Sequence, residues 1–177
     1  MIPQPVIRSA IPTDIAELHA LVESAYRGDT ARKGWTHEAD LLDGQRTDAA
    51  MLTSIVADPD QRILVALSSA SIIGCVQVSK QTSNACYLGL LTVDPPQQGS
   101  GLGSLLIAAA EDYATREFGA RCMEMTVIRQ RHELIAYYCR RGYVATGEER
   151  PFPLDDPRFG LPRTRELGFV VLAKRLA

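Results

Sequence analysis

Apolar residues recur along the chain with two periods, one typical of strands and one typical of helices. Strand-like runs lie at residues 6–9, 63–67, 72–78, 86–93, 122–128, 143–147 and 169–174. A helical stripe of Ile15, Leu18, Leu21, Val22 and Ala25 follows Pro12, and further helical patterns lie at residues 48–57, 102–118 and 133–141. Residues 28–44 have no clear period, which predicts a loop or a broken helical segment over a cleft.

The order of these elements predicts the fold class and the number of domains. An antiparallel meander comes first, a single β-α-β crossover follows, and a helix and closing strands complete the chain. Such an order is typical of an α/β (α+β) layer fold. The chain has 177 residues, enough to bury a substantial core, so we expect one domain over residues 1–177.

Composition and charge argue against several classes of function. The chain is 46% hydrophobic and 23% charged, as ordinary soluble globular proteins are. Its formal net charge is −2 and it contains no block of Lys and Arg, which argues against nucleic acid as a partner. The longest apolar stretch, residues 63–78, is interrupted by serines and a glycine, so it predicts two strands around a turn rather than a membrane span.

The cysteines and histidines show no metal-binding pattern. Cys75, Cys86, Cys122 and Cys139 are too far apart for a C-x-x-C pair, and the three histidines are scattered. We therefore expect four reduced, buried thiols, no metal site and a cytoplasmic protein. The first ten residues lack a basic region followed by an apolar core, so we expect no secretory signal.

The most informative local pattern is the turn at residues 94–103. Its two prolines cannot donate strand hydrogen bonds, so the preceding strand must end there. Gly99, Gly101 and Gly103 then open a helix whose apolar face we expect to contain Leu102, Leu105, Leu106, Ala109 and Tyr113. Glycine permits positive φ angles and a close approach of N–H groups to a ligand, and a helix N-terminus favours phosphate. We interpret the turn, which fits neither the dinucleotide fingerprint nor the Walker motif, as a phosphate cradle rather than a plain tight turn.

Two motifs resemble those of the Gcn5-related N-acetyltransferase (GNAT) family. Residues 98–103, Gln-Gly-Ser-Gly-Leu-Gly, resemble the family's Gln/Arg-x-x-Gly-x-Gly/Ala motif. Residues 136–143 resemble its second motif, an aromatic pair followed after three residues by Gly-Phe. The resemblance covers most of the chain, from Val6 to the last strand. It implies a mixed, mostly antiparallel central sheet flanked by helices on both faces, and an acetyl-CoA-dependent N-acetyltransferase.

The resemblance also implies which residues hold acetyl-CoA. Backbone N–H groups would bind its pyrophosphate at Gly99, Ser100, Gly101, Leu102, Gly103 and Ser104, and Gln98 belongs to the same set. Leu91 and Val93 would pair, as a strand does, with the amides of the pantetheine arm. The family's strand at this place carries a bulge that opens a slot for the arm.

Tyr138 lies where many members of the family place a tyrosine near the cofactor sulfur. A neutral phenol can donate a proton to a departing thiolate at neutral pH. We expect Tyr137 to pack in the core, and the alternative for both tyrosines is a plain buried aromatic face. Where many members have Asn, this chain has Arg131, which either reaches the cofactor's phosphates with Arg129 and His132 or belongs to a solvated helix start.

An acceptor amine must lose a proton before it attacks a thioester. Histone-modifying relatives carry a catalytic Glu on the strand position that is Tyr87 here. The resemblance therefore leaves the base unassigned. A water relay at Tyr87 could serve the amine, or Glu148 or Glu149 could supply charge from the opposite wall, while Tyr87 could equally be a plain strand residue.

The walls around an acceptor are expected from residues 26–38 and 150–159. Trp35 and Phe152 could pack on the acceptor's carbon skeleton, and Arg150 could bind a carboxylate. Arg150 could also be a rim residue, and Phe152, which stands between prolines, could simply anchor its loop.

Three hypotheses of function follow from the sequence. The first is an acetyl-CoA-dependent N-acetyltransferase that acts on a small-molecule amine by direct attack in a ternary complex. The second is a protein or peptide N-acetyltransferase, which would need a more open cleft. The third is a non-catalytic acyl-CoA-binding regulatory module, which the missing Glu at Tyr87 permits and Tyr138 argues against. We expect no membrane partner, and family resemblance is compatible with a homodimer.

Overall fold

The computed structural model describes residues 4–177. Its strands are β1 (Val6–Ser9), β2 (Leu42–Asp43), β3 (Gln61–Ser68), β4 (Ser71–Lys80), β5 (Ala85–Val93), β6 (Cys122–Ile128), β7 (Val144–Pro151), β8 (Leu161–Pro162) and β9 (Gly168–Arg175). Its α-helices are α1 (Ile15–Tyr26), α2 (Gly28–Ala31), α3 (Ala49–Ala57), α4 (Leu102–Phe118) and α5 (His132–Cys139). Short 3₁₀ turns lie at Pro12–Asp14, Pro95–Gln97 and Pro157–Phe159.

Seven of these strands form one sheet, in the order β1-β3-β4-β5-β6-β9-β7, and β2 pairs separately with β8. All neighbours in the large sheet are antiparallel except β5 and β6, which are parallel and are joined through α4. The predicted fold class, a mixed and mostly antiparallel sheet with helices on both faces, is confirmed.

The alternation of side chains along β3 divides the core into two layers. Ile63 and Val65 pack with Leu18 and Leu52, from α1 and α3, on one face of the sheet. Leu64 and Ala66 belong to the other layer, where α4 and α5 cover the sheet. Each face therefore has its own set of helices, and the sheet is shared by both layers.

The face of α4 that contacts the sheet differs from the predicted one. Its buried residues are Leu102, Leu106, Ile107, Ala110 and Ala114. Leu105 is 43% exposed, so its assignment to the buried face is wrong. The first half of α4 is apolar on nearly all sides, and helical periodicity alone therefore does not choose which stripe meets the sheet.

A bulge in β5 separates this strand from its neighbours. Between the pairs Cys75–Thr92 and Gln77–Gly89, β5 has one residue more than β4, and Leu90 takes a positive φ of 48°. β5 pairs with β6 only over Ala85–Tyr87, although both strands continue beyond those pairs. The bulge that the family resemblance implied is confirmed, and the two strands diverge beyond it.

The four thiols are free but do not share one environment. Cys75 and Cys86 are buried, Cys122 is half-buried and Cys139 is exposed at the end of α5, so the prediction of a buried thiol is wrong for Cys139. Burial raises the pKa of the Cys75 thiol to about 12, which keeps it unreactive at neutral pH. Across residues 4–177, no three His, Cys, Asp or Glu side chains are grouped as metal ligands would be. None of the helices in that range has the length and apolar character needed to cross a membrane.

Candidate active site

Two cavities meet where β5 and β6 diverge. The larger cavity, of about 400 Å³, extends from this point to the glycine turn before α4. The smaller cavity, of about 240 Å³, lies between the diverging strands, the 26–46 region and the loop after β7. Both cavities are lined by Tyr26, Leu91, Arg131, Leu134 and Tyr138. These five residues therefore form the junction between the two cavities.

The glycine turn gives the larger cavity one open end. Gly99 and Gly101 have φ angles of 82° and 88°, and a Cβ added to either would meet no atom within 4 Å. Among the described residues, no acceptor takes the N–H groups of Gly99, Gly101, Leu102, Gly103 or Ser104. The free donors and the positive end of the α4 dipole together suit a phosphate group.

Three members of the same turn have further roles. The N–H group of Ser100 donates to the Gln97 carbonyl at 3.4 Å, and Ser100 does not line the larger cavity. The side chain of Leu102 is buried in the core, so only its backbone is available. A Cβ on Gly103 would clash with the Tyr137 hydroxyl, so glycine leaves room there for the Tyr137 side chain.

Arg141 holds a positive charge beside the N-terminus of α4. Its Nε and Nη2 donate to Ser104 Oγ at 2.9 and 2.6 Å, and its guanidinium lies 3.4 Å from the ring centre of Tyr137. Tyr137 is half-buried and packs against the core as predicted, and it also lines the larger cavity. Sequence reasoning missed Arg141, although it stands directly before the glycine of the second motif.

Gln98 joins two parts of the larger cavity through its side-chain amide. Its Oε1 accepts the backbone N–H of Trp35 at 2.9 Å, and its Nε2 donates to the Val93 carbonyl at 3.3 Å. The Trp35 ring lies 5.3 Å from the ring of Tyr137. The structure therefore places Trp35 in the larger cavity and not in the smaller one, where a wall for the acceptor was expected.

Leu91 and Val93 present the divergent part of β5 to the larger cavity. The Leu91 carbonyl already accepts the Tyr26 hydroxyl at 2.5 Å, as the Val93 carbonyl accepts Gln98. Because a carbonyl oxygen has two lone pairs, each can still accept one hydrogen bond from a ligand amide.

Tyr138 lies on α5 at the junction, and 6% of its surface is exposed. Its hydroxyl makes no hydrogen bond to any of residues 4–177. Burial raises the pKa of Tyr138 well above its ordinary value, with the nearby Tyr26 acting in the same direction. The phenol therefore keeps its proton at neutral pH.

Six aromatic side chains contribute to the lining of the smaller cavity. They belong to Tyr26, Tyr87, Tyr138, Phe152, Phe159 and Phe169. The Tyr87 hydroxyl shares a hydrogen bond with Thr126 Oγ1 at 2.6 Å, and the ring centres of Phe152 and Phe169 are 5.2 Å apart. The structure thus brings together Tyr87 and Phe152, which the sequence assigned to the acceptor side.

Arginines form the polar part of the smaller cavity. Glu38 Oε2 accepts Arg27 at 2.5 Å and Glu38 Oε1 accepts Arg131 at 3.3 Å, while Arg131 also donates to Thr36. The surface of Arg131 is only 5% exposed, so its assignment to a solvated helix start is wrong. Sequence reasoning missed Arg46, whose guanidinium lies 5.1 Å from the ring centre of Tyr26, because a single Arg in a polar stretch is typical of an ordinary surface.

Arg150 lies outside both cavities. It donates to Glu124 at 2.5 Å and to Glu148 at 2.8 Å, and this pairing with two carboxylates raises its pKa. Glu149 is exposed and pairs with Arg129 at 3.5 Å. The structure therefore does not bring Arg150, Glu148 or Glu149 to the acceptor side.

Comparison with known proteins agrees with this geometry. Residues 16–143 match the model of the Acetyltransferase (GNAT) family. The chain belongs to this family. GNAT proteins use acetyl-CoA, so the predictions of an acetyltransferase enzyme and of its cofactor are confirmed. Across 91 residues the chain is also 32% identical to an aminoalkylphosphonate N-acetyltransferase of Salmonella typhimurium, a match that covers 49% of this chain and 58% of that relative.

Solved structures share the whole GNAT fold with this chain. The yncA protein of Salmonella typhimurium, solved with its cofactor acetyl-CoA, aligns with a TM-score of 0.67 at 18% identity over 99% of this chain and 95% of its own. A GNAT acetyltransferase from Streptococcus pneumoniae aligns with a TM-score of 0.68 at 21% identity, over 98% of this chain and 100% of its own. The ribosomal-protein-S18-alanine N-acetyltransferase of Escherichia coli aligns with a TM-score of 0.71 at 15% identity, over 98% of this chain and 94% of its own.

The larger cavity fits acetyl-CoA in its shape and its donors. The open space at Gly99 and Gly101 leaves room for a diphosphate against free N–H groups, and Arg141 adds positive charge. The gap beyond Tyr87, where β5 leaves β6, exposes strand backbone to which an amide-bearing arm can bind. The two observations concern opposite ends of one continuous cavity.

Proposed function

We propose that this GNAT protein transfers the acetyl group of acetyl-CoA to the amine of a small molecule, by direct attack in a ternary complex. The observation that carries the proposal is the junction at Tyr138, where a cavity that fits the cofactor meets a second, smaller cavity. At about 240 Å³ and with aromatic walls, the second cavity suits a small molecule. The name of the aminoalkylphosphonate N-acetyltransferase, whose acceptor is a small molecule, supports this. We also propose that residues 1–177 form a single acetyltransferase domain and that the protein is cytoplasmic.

The residues of the larger cavity would bind and orient the cofactor. N–H groups of the turn at residues 99–104 would hold its pyrophosphate, and Gln98 would fix the wall that carries Trp35. Leu91 and Val93 would bind the pantetheine amides through their backbone. Acetyl-CoA supplies an acetyl thioester, whose carbon–sulfur bond is replaced by a carbon–nitrogen bond to the acceptor. Holding both reactants at one junction lowers the barrier because their orientation is fixed beforehand.

Tyr138 would act as the acid for the leaving group. Its hydroxyl has no protein acceptor among the described residues and keeps its proton because burial raises its pKa. Tyr138 would donate that proton to sulfur and recover one from solvent, while the proton lost by the acceptor nitrogen passes to water. A water relay next to the Tyr87 and Thr126 hydroxyls would remove it.

The test follows release of free CoA with a thiol reagent across a panel of small amines. We expect turnover with at least one amine, and a kcat lower by about 100-fold or more in Tyr138→Phe, because general acid catalysis typically contributes that much. Acetyl-CoA affinity, measured by calorimetry, should stay at the wild-type level. Wild-type kcat should not fall up to about pH 9, because the raised pKa keeps the phenol protonated there.

Tyr113→Phe is the matched control, since the Tyr113 hydroxyl accepts a hydrogen bond from Arg62 Nε at 2.9 Å and lies away from both cavities. It should leave kcat unchanged. Binding of acetyl-CoA without CoA release for any amine would contradict the proposal and favour a binding module. Turnover of peptide N-termini in preference to every small amine would contradict the small-molecule acceptor.

A further inference from the structure

The wall of the smaller cavity has more positive than negative charge. Within residues 4–177, its lining includes Arg27, Arg46 and Arg131 but a single carboxylate, Glu38. Glu38 uses one oxygen for Arg27 and the other for Arg131. Arg46 is therefore left without a counter-ion in this wall.

Arg46 is positioned by its backbone and by an aromatic face rather than by an ion pair. The backbone N–H of Arg46 donates to Glu23 Oε1 at 2.7 Å, and this oxygen also accepts the backbone N–H of Thr47 at 2.8 Å. The guanidinium stacks on Tyr26, and no acceptor among the described residues takes any of its five N–H donors. Although burial opposes its charged form, the negative charge of Glu38 raises the pKa of Arg46, so it remains a cation.

The other two arginines of this wall also have buried donors without hydrogen bonds. Arg27 Nε and Arg131 Nε make no hydrogen bond to the described residues, and Arg131 Nε lies 3.7 Å from Glu133 Oε1. Buried donors without partners are rare in folded proteins, because each loses its hydrogen bond to water. A ligand with negatively charged oxygen atoms would accept hydrogen bonds from this wall and balance its excess positive charge.

We infer that the acceptor carries an oxyanion, a phosphonate or a carboxylate, which Arg46 binds while the amine reaches the junction. This inference rests on the proposed function and names its class of substrate. A guanidinium matches two oxygens of either oxyanion with parallel hydrogen bonds.

Tyr26 contacts both ends of the space that such a substrate would fill. Its hydroxyl donates to the Leu91 carbonyl at the junction, and the Arg46 guanidinium lies 5.1 Å from its ring centre. The anion site and the junction therefore adjoin the same side chain. A short amino acid or aminophosphonate carries an amine and an oxyanion a few bonds apart, whereas a long polyamine lacks the oxyanion altogether.

Binding of the oxyanion is measured first, without turnover. Methylphosphonate and acetate are titrated by calorimetry into the wild-type protein, Arg46→Gln, Arg46→Lys and Arg116→Gln. Arg116 is an exposed arginine of α4 that pairs with Asp112, so it serves as the matched control. We expect Arg46→Gln to weaken the preferred anion about tenfold or more, as is typical when a charge-assisted hydrogen bond is lost. Arg46→Lys should retain part of the affinity, and Arg116→Gln all of it.

Turnover is measured next with three amines of equal chain length: 2-aminoethylphosphonate, β-alanine and ethanolamine. The wild type should prefer one of the two acids over ethanolamine in kcat/KM, and the preferred acid identifies the oxyanion. Arg46→Gln should lower kcat/KM for that acid by at least about tenfold more than for ethanolamine, mainly through KM.

The outcomes separate this inference from the proposed function. Turnover of amines with ethanolamine preferred, or an equal loss for all three amines in Arg46→Gln, would overturn the oxyanion site and leave the acetyltransferase reaction standing. Anion binding that depends on Arg46, together with no turnover of any amine, would support the site and contradict the proposed reaction.

Discussion

Gln98 and Gly101 stand three residues apart in one turn, and they do different things. Gly101 provides empty space and a free N–H group, whereas Gln98 fills its surroundings and connects the backbone of Trp35 with that of Val93. A motif residue can therefore line a site and also fix its walls. Arg141 does both, since it lines the larger cavity and holds Ser104 and Tyr137.

Replacing Gln98 by Ala should loosen the wall that carries Trp35. The variant loses both hydrogen bonds of the amide, so we expect weaker acetyl-CoA binding and greater solvent exposure of Trp35. Trp35 is the single tryptophan of the chain, so its fluorescence reports on this wall directly. Acrylamide quenching should rise in Gln98→Ala and stay at the wild-type level in Gln97→Ala, whose side chain is exposed. Equal quenching in both variants would refute this role.

At the scale of elements, α4 and β5 produce the site by failing to complete their hydrogen bonds. The first turn of α4 has N–H donors that find no acceptor among residues 4–177, and β5 leaves β6 after three paired residues. The bulge at Leu90 lets one strand stay bonded to β4 while its other edge opens. Unpaired backbone in both elements is what a ligand rich in phosphate and amide groups can use.

Gly101→Glu should abolish most acetyl-CoA binding, because a carboxylate would stand in the cradle and repel a pyrophosphate. We expect affinity to fall at least about tenfold, which corresponds to roughly 1.4 kcal/mol. Gly119→Glu is the matched control, since Gly119 ends the same helix with a positive φ of 66° and open space around it. Both variants should lose similar stability, about 1 kcal/mol, from the positive φ. Calorimetry that finds unchanged affinity in Gly101→Glu would contradict the cradle.

At the scale of the whole molecule, one sheet supports both the active site and the two core layers. Helices α1 and α3 cover one face, while α4 and α5 cover the other. The Arg8–Asp14 ion pair, at 2.7 Å, fixes the edge strand β1 to the start of α1. Changes at this edge should therefore alter stability without altering the site.

The Arg8 side chain, through its hydrogen bond, lowers the pKa of Asp14, with the Ile11 N–H acting in the same direction. A carboxyl group whose folded-state pKa is lowered stabilises the fold above its unfolded pKa, and this is lost as the pH falls through the folded value. Asp14→Asn should therefore lower the free energy of unfolding at pH 7 by about 1 kcal/mol. This is less than a buried charge-assisted hydrogen bond contributes, because Arg8 is partly exposed.

The difference between wild type and Asp14→Asn should stay constant from about pH 7 to 5 and shrink below about pH 4. Urea unfolding at several pH values measures it. Asp112→Asn, on the exposed face of α4, is the control and should change stability little at any pH. A difference that grows as the pH falls would refute the role of Asp14.

The sequence by itself determined the order of the main elements and the place of the glycine turn. Periodic stripes marked Leu102–Phe118 and Cys122–Ile128 to the residue, and the prolines after Val93 ended β5 where predicted. These features depend on local backbone preferences, and short-range patterns record them directly. The glycine turn was readable for the same reason, because its φ angles require glycine.

Only the tertiary structure decided the buried face of α4, the positions of Trp35 and Arg150, and the pairing of the arginines. Leu105 and Leu106 are neighbours of equal hydrophobicity, and packing against the sheet alone distinguishes them. Arg150 pairs with two carboxylates, Arg27 and Arg131 share Glu38, and Arg46 has no ion pair with any of residues 4–177. Which charges meet depends on residues far apart in sequence, and the charge that remains unpaired becomes known only when all the others are placed.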